Sequence, residues 1–595
     1  MTFTTRPEIT GTFGVATSTH WIASAVGMGV LERGGNAFDA AVAMGFTLQI
    51  VEPHLNGPAG EFPALLHKGA TGETQVLCAQ GPAPAGATIA HYRDEGLSLI
   101  PGSGHLATVI PGAFDGWMTM LRDHGTISLE DALSPAIGYA AAGHPVLPRV
   151  ANTIAGLTGF FRDEWPSSAE IWAPGGRAPA PGALFRNPML AETYARILRE
   201  SAGAGGREAE IEAARRIWRE GFVAEAIDRF STGEAVMDGA GERRRGVLTG
   251  ADMSGWSASY EPPLVYDYHG WRVAKTGPWG QGPVLAQSLS LLKGFDFGAL
   301  DPNGAEFAHL TIEAMKLAYA DREAYYGDPD FVDVPLDALL ADAHADARRT
   351  LIGEAASMEQ RPSRLPGFEA MADAVAMRAA TLIDEDGVGV VEPTMAHLTE
   401  RRGDTVHLDV IDRWGNMVSA TPSGGWLQSN PVVPGLGFPL NSRAQMFWLD
   451  EGLNQSLAPG RRPRTTLSPS MAFHPDEGAY AFGTPGGDQQ DQWQLILFLR
   501  HVHGGANLQE AIDAPLFHSQ HFTSSFYPRI AAAGELMIEA SAGEAVIDEL
   551  RRRGHIVNVA DPWTVGRLTA ARRSPEGVLY AAATPRLMQA YAVGR

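Results

Sequence analysis

Amide chemistry without a metal needs a nucleophile, a base beside it and donors for the developing oxyanion, so hydroxyls and glycine pairs are the residues to find first. In RRGDTVHLDVIDRWGNMVSATPSGG, Arg401 to Gly425, Thr405 follows Gly403 and Asp404 directly. It opens a strict alternation, with Val406, Leu408 and Val410 on one face and His407 and Asp409 on the other. That period predicts a strand with one packed side. Arg413 to Asn416 supplies a turn and Met417 to Thr421 a second extended run, which together predict a half-buried hairpin entered from a loop. In AFGTPGGDQQ, Ala481 to Gln490, two glycines follow a strand-like run. Gly486 and Gly487 fit a plain tight turn, and fit equally a pair of backbone N–H groups aimed into a cleft. PGRRPRTTLSPS, Pro459 to Ser470, sets three arginines beside Thr465 and Thr466. Alone that is a solvated loop; beside an active site it binds anions.

Other chemistries lose their residues on inspection. No Gly-x-Ser-x-Gly elbow occurs, and the glycine pair lacks the Lys-Ser or Lys-Thr of a phosphate loop. Cys78 is the one cysteine; its apolar setting in TQVLCAQ predicts a buried, inert thiol, and it excludes an internal disulfide. His501 and His503 sit two apart at a helix end and so share no face, which argues against a metal pair. DREAYYGDPDFVD is acidic without calcium-loop spacing. What remains is a hydroxyl acting without a separate histidine. A chain-terminal Thr does this, because its own α-amine, with a pKa of about 8, takes the hydroxyl proton. For Thr405 that requires the Asp404–Thr405 bond to be broken first.

The elements that would position these groups alternate early in the chain. STHWIASAVGMGVLERGGNAFDAAVAMGFTLQIVEP predicts two helices separated by Gly34-Gly35, the second capped by Asn36. FPALLHKGATGETQVLCAQ predicts two strands. Residues 152–260 read as exposed helices with Gly/Ala interruptions, and GAGERRRG as a surface loop. FAHLTIEAMKLAYADREAYYGDPDF predicts a long helix, whereas 356–404 loses its period and reads as a protease-accessible segment. After residue 405 the chain turns strand-rich, interrupted by helices in DQWQLILFLRHVHGG and GEAVIDELRRRGH. The net charge of −22 argues against nucleic-acid or anionic membrane partners. Without a secretory pattern or a run of about 18 apolar residues, the expected location is cytoplasmic.

Eight stretches in order carry a resemblance. LERGGNAFDAAVAMGFTLQIVEP, VIPGAFDGW, GWRVAKTGPWGQGP, EAMKLAYADREAYYGDPDFVDVP, DTVHLDVIDRWGNMVSATPS, RRPRTTLSPS, GTPGGDQQ and VLYAAATPR resemble the γ-glutamyltranspeptidase family of N-terminal nucleophile hydrolases. The resemblance implies an α+β fold, a four-layer αββα sandwich. It implies a precursor that cuts itself into a large subunit, residues 1–404, and a small one, 405–595, that begins with Thr405. It needs no cofactor or metal. By position, Ser423 corresponds to the second hydroxyl that hydrogen-bonds the nucleophile, and Gly486 and Gly487 to the oxyanion pair. Thr465 and Thr466 stand where family members carry two serines that hold the substrate carboxylate.

Four positions depart from that pattern. Gln80 stands where the family has an Arg for the substrate α-carboxylate, and Met446 where it has an Asp for the α-amine. Gly425 replaces an Asn, and Arg443 replaces a Gln. Losing two charge-assisted contacts, each worth about 1.5–3 kcal/mol, predicts weak recognition of an amino-acid zwitterion. The expected activity is therefore hydrolysis of a small acyl amide through an acyl-enzyme on Thr405, with Arg443 and Arg464 as candidate ligands for a carboxylate elsewhere on the acyl group. Two other readings stay open: a true γ-glutamyl hydrolase or transferase acting on glutathione-like substrates, and an uncut relative that only binds ligands.

Overall fold

The computed structural model describes residues 3–381 and 405–595, with the backbone alone for 379–381. Two seven-stranded antiparallel sheets lie face to face. The first runs Tyr591–Gly594, Gly14–Ser18, Leu408–Asp412, Met417–Ala420, Phe62–Lys68, Glu73–Ala79, Ser259–Glu261. The second runs Ile9–Gly11, Leu579–Ala583, Thr569–Arg573, Gly478–Gly483, Ser470–His474, Trp271–Lys275, Leu264–Tyr268. Three apolar clusters separate the layers. Val406, Leu408 and Val410 pack outward on the helices Trp21–Glu32 and Ala37–Val51. Ile411, Met417, Met471, Ala481 and Ala571 fill the space between the sheets. Val273, Tyr480, Phe482 and Ala570 pack outward on Gly282–Leu292, Ala305–Tyr325 and Gln490–Val502. The order is helix, sheet, sheet, helix, the predicted sandwich.

Burial on both faces corrects the half-buried hairpin. Every residue of Leu408–Asp412 and of Met417–Ala420 is buried, because the polar face of the alternation meets the second sheet instead of water. Both sheets combine strands from before and after residue 405, so neither region closes a core without the other. The first helix pair forms as expected, with Asn36 and Asp39 making a reciprocal capping box.

Two further expectations change. GAGERRRG is part of a short hairpin, Val236–Met237 with Arg243–Arg244, in which buried Arg244 pairs with Asp238 at 2.7 Å. Within 356–404 the described residues, 356–381, include a helix, Glu369–Thr381. Its apolar residues form no marked stripe, which is why no helical period shows in the sequence.

Candidate active site

Thr405 sits at the entry to Leu408–Asp412, third of seven strands, at one end of the gap between the sheets. Val406 N–H donates to the Pro422 carbonyl at 2.9 Å, and Thr405 bridges antiparallel to Ser423. Ser423 in turn bridges to Glu61, exchanging two backbone bonds of 2.9 Å each. Paired residues across a sheet project to the same face, so Thr405, Ser423 and Glu61 form one row of side chains. All three are buried.

The hydroxyl of Thr405 donates to Ser423 Oγ at 3.2 Å. Arg443 Nη2 donates to the same oxygen at 2.8 Å, and Arg443 Nε donates to Glu61 Oε1 at 2.6 Å. A chain Glu61–Arg443–Ser423–Thr405 therefore runs from a buried carboxylate to the nucleophile. Burial pushes the Glu61 carboxyl up, and the Arg443 charge pulls it back. The turn at Gly424 and Gly425 has positive φ at both residues, and a side chain at Gly424 would strike the Glu61 carboxylate. Glycine there is a space requirement.

Gly486 and Gly487 follow the strand Gly478–Gly483 and open the helix Gln490–Val502. Gly486 has φ 129°, and an added Cβ would overlap the Trp493 ring. Neither glycine N–H donates to another group among the described residues. The loop is held from behind. Asp488 accepts Arg322, Ser525 Oγ at 2.6 Å and Ser525 N–H at 2.8 Å, while Gln281 donates to the Gly487 carbonyl at 3.2 Å. Two free N–H groups on a fixed loop have the character of an oxyanion hole.

The remaining candidates divide. Gln80 follows Ala79, the partner of Phe62, so the register carries it beside Glu61; its amide donates to the Gly81 carbonyl at 3.0 Å. Thr465 accepts the Leu467 N–H at 3.3 Å and bridges to Gly280, and the Thr466 hydroxyl is buried without a partner. Arg464 is buried on Glu323 at 2.9 Å and Ser525 at 2.7 Å, so like Arg443 it is already paired. Met446 Sδ lies 3.7 Å from Arg443 Nη1. Asp404 lies outside the described residues. Cys78 is buried, and burial pushes its thiol up to about 11. His501 Nδ1 bonds the Ala506 carbonyl at 2.8 Å.

Sequence reasoning missed two features. Glu61 was passed over because a single acid before an apolar strand reads as a surface residue; the one signal was its place after the glycine-rich turn NGPAG. His407 and Asp409 were read only as a polar face. They pair at 3.0 Å, with Thr421 on the other ring nitrogen at 2.9 Å and Thr17 and Thr569 on Asp409 at 3.2 and 3.0 Å. This network stitches the two sheets beneath the nucleophile. Gly483 makes room for the His407 ring, where a Cβ would collide. Among the described residues no group of three or more His, Cys, Asp or Glu is placed to hold a metal ion, and no helix is long and apolar enough to cross a membrane.

Known proteins match this arrangement over nearly the whole chain. The chain is similar to the Acylase ACY 1 proenzyme of Pseudomonas sp. (strain V22), 31% identical over 593 residues, covering 97% of this chain and 93% of the relative. Among solved structures it is similar to LmbA2991HD, 53% identical with full coverage of both chains and a TM-score of 0.91. It is also similar to the cephalosporin acylase from Bacillus halodurans, 28% identical, covering 100% of this chain and 97% of that one, with a TM-score of 0.81. The family model for Gamma-glutamyltranspeptidase matches residues 23–594, and the chain belongs to that family.

Proposed function

We propose that the chain is cut between Asp404 and Thr405 and that the mature enzyme hydrolyses acyl amides other than γ-glutamyl amides. Before the cut, Thr405 Oγ1 attacks the carbonyl carbon of residue 404, the C–N bond breaks, and water hydrolyses the resulting ester. The free α-amine of Thr405 then takes the hydroxyl proton as Oγ1 attacks a substrate amide. The oxyanion is met by the Gly486 and Gly487 N–H groups, the leaving amine receives the proton from the α-ammonium, and water releases the acyl group from the ester. Ser423, fixed by Arg443, orients the nucleophile. The subunits 1–404 and 405–595 stay together because they share both sheets.

The observation that carries the reading is a retained nucleophile and glycine loop beside a remodelled acyl pocket. By the family resemblance Met446 and Gln80 stand at the positions of the two charged zwitterion ligands, and Arg443 is neutralised by Glu61 at 2.6 Å. The acylase relatives support the same class. Glu61 favours the γ-glutamyl reading, as an acid inside the site that could meet an ammonium group, but its charge is already opposed by Arg443. Two measurements test the proposal. Denaturing gels of wild type and Thr405→Ala should show two fragments and one chain respectively. Anilides of simple acyl groups should turn over faster than γ-glutamyl anilide; the reverse order contradicts the acylase reading.

A further inference from the structure

The row of side chains beginning at Thr405 ends in two acceptors without donors. Glu61 Oε2 and Gln80 Oε1 are both buried and unpartnered. The Thr405–Ser423 and Ser423–Glu61 bridges and the Phe62–Ala79 pair place these residues on successive strands. The run Thr405–Ser423–Arg443–Glu61, with contacts of 3.2, 2.8 and 2.6 Å, brings the Glu61 carboxylate toward the nucleophile, and the Phe62–Ala79 register carries Gln80 beside Glu61 on the next strand. A buried acceptor without a donor costs stability unless something supplies one.

Charge narrows what that something is. Arg443 holds Glu61 and Ser423 through Nε and Nη2, its Nη1 lies 3.7 Å from the Met446 thioether, and the guanidinium sits over the Trp426 ring. Arg464 has both Nη groups on Glu323 and Ser525, so its charge is already opposed, although its Nε is buried without a partner. A carboxylate on the acyl group would set a second buried anion beside Glu61 against the one Arg443 charge. An ammonium would add a second cation beside Arg443. A neutral donor satisfies both acceptors and changes no charge.

Resting on the hydrolase reading above, we infer that the acyl group is uncharged and ends in a primary carboxamide, whose two N–H bonds match Glu61 Oε2 and Gln80 Oε1. Glu61 then has two roles, one oxygen positioning Arg443 and the other receiving substrate.

The test uses the processed enzyme and four p-nitroanilides of one chain length: 4-carbamoylbutyryl, pentanoyl, glutaryl and γ-glutamyl. The carbamoyl substrate should exceed pentanoyl by about tenfold or more in kcat/KM and glutaryl by about a hundredfold, since a site built for a donor rejects analogues that lack one. Gln80→Leu should shrink the carbamoyl-to-pentanoyl ratio by about tenfold. Preference for glutaryl would overturn the inference and point to Arg529, whose Nη1 is buried without a partner. Equal rates for carbamoylbutyryl and pentanoyl would also overturn it, as would a cut enzyme inert toward all four. The first two outcomes leave the hydrolase reading intact, whereas a cut but inert enzyme removes it too. Preference for γ-glutamyl, or a chain that stays uncut and inert, would overturn that reading as well.

Discussion

The two ends of the sheet sandwich differ in nearly every respect. At one end Thr405, Ser423, Glu61 and Arg443 are buried and joined by bonds of 2.6–3.2 Å. At the other, an open groove of about 640 Å³ runs between the sheet edges, lined by His67, Arg272, His474 and Arg573. Size alone would put the chemistry in the groove. The groove has cations, imidazoles and two hydroxyls, Thr74 on His67 at 2.9 Å and Ser574 on the Val578 N–H at 3.2 Å, but neither hydroxyl stands beside a glycine loop like that at Gly486 and Gly487. The Thr405 end has little room and everything preorganised, which is what amide attack requires. Fixed dipoles in a dry place, and not volume, mark the reactive end.

The largest predicted effect is at the nucleophile. Thr405→Ala should leave a single full-length chain and lower activity by about 10⁴-fold or more, read from gels and anilide turnover. Gly486→Ala comes next. The methyl would strike Trp493 at a φ that L-residues avoid, shifting an oxyanion donor and costing about 10²–10³-fold in kcat. Ser423→Ala removes the shared acceptor of Thr405 and Arg443, and its main effect should fall on kcat. At the groove, Arg573→Ala should change turnover by no more than about twofold; a loss like that of Gly486→Ala would erase the contrast between the ends.

The smallest effect concerns stability. Burial pushes the Glu52 carboxyl up to about 7, against help from Thr19. A carboxyl raised in the folded state holds its proton better there than in the unfolded chain. Its contribution is therefore full below the unfolded pKa and is lost as pH rises from about 4.5 to 7. Glu52→Gln should flatten the fall in melting temperature across that window, an effect on the order of 1–3 kcal/mol.

The contrast also explains what the sequence made legible. Strand and helix periods were readable, as were the capping box at Asn36 and the glycine pair at 486–487, because each is a local pattern. Burial was not local. The His407–Asp409 face looks like a solvent face until a second sheet covers it, with Thr569, 160 positions after Asp409, on its carboxylate. Glu61 and Arg443 are 382 positions apart, and only the fold makes a charge pair of them. Arg443 read as a free cation for substrate for the same reason.

The most direct measurement is intact-mass analysis and N-terminal sequencing of purified, active enzyme after brief exposure to a slowly released acyl substrate. The account predicts two fragments, the smaller beginning Thr-Val-His-Leu and carrying the acyl mass on Thr405. An active enzyme that remains one uncut chain, or an acyl group found on any other residue, would contradict it.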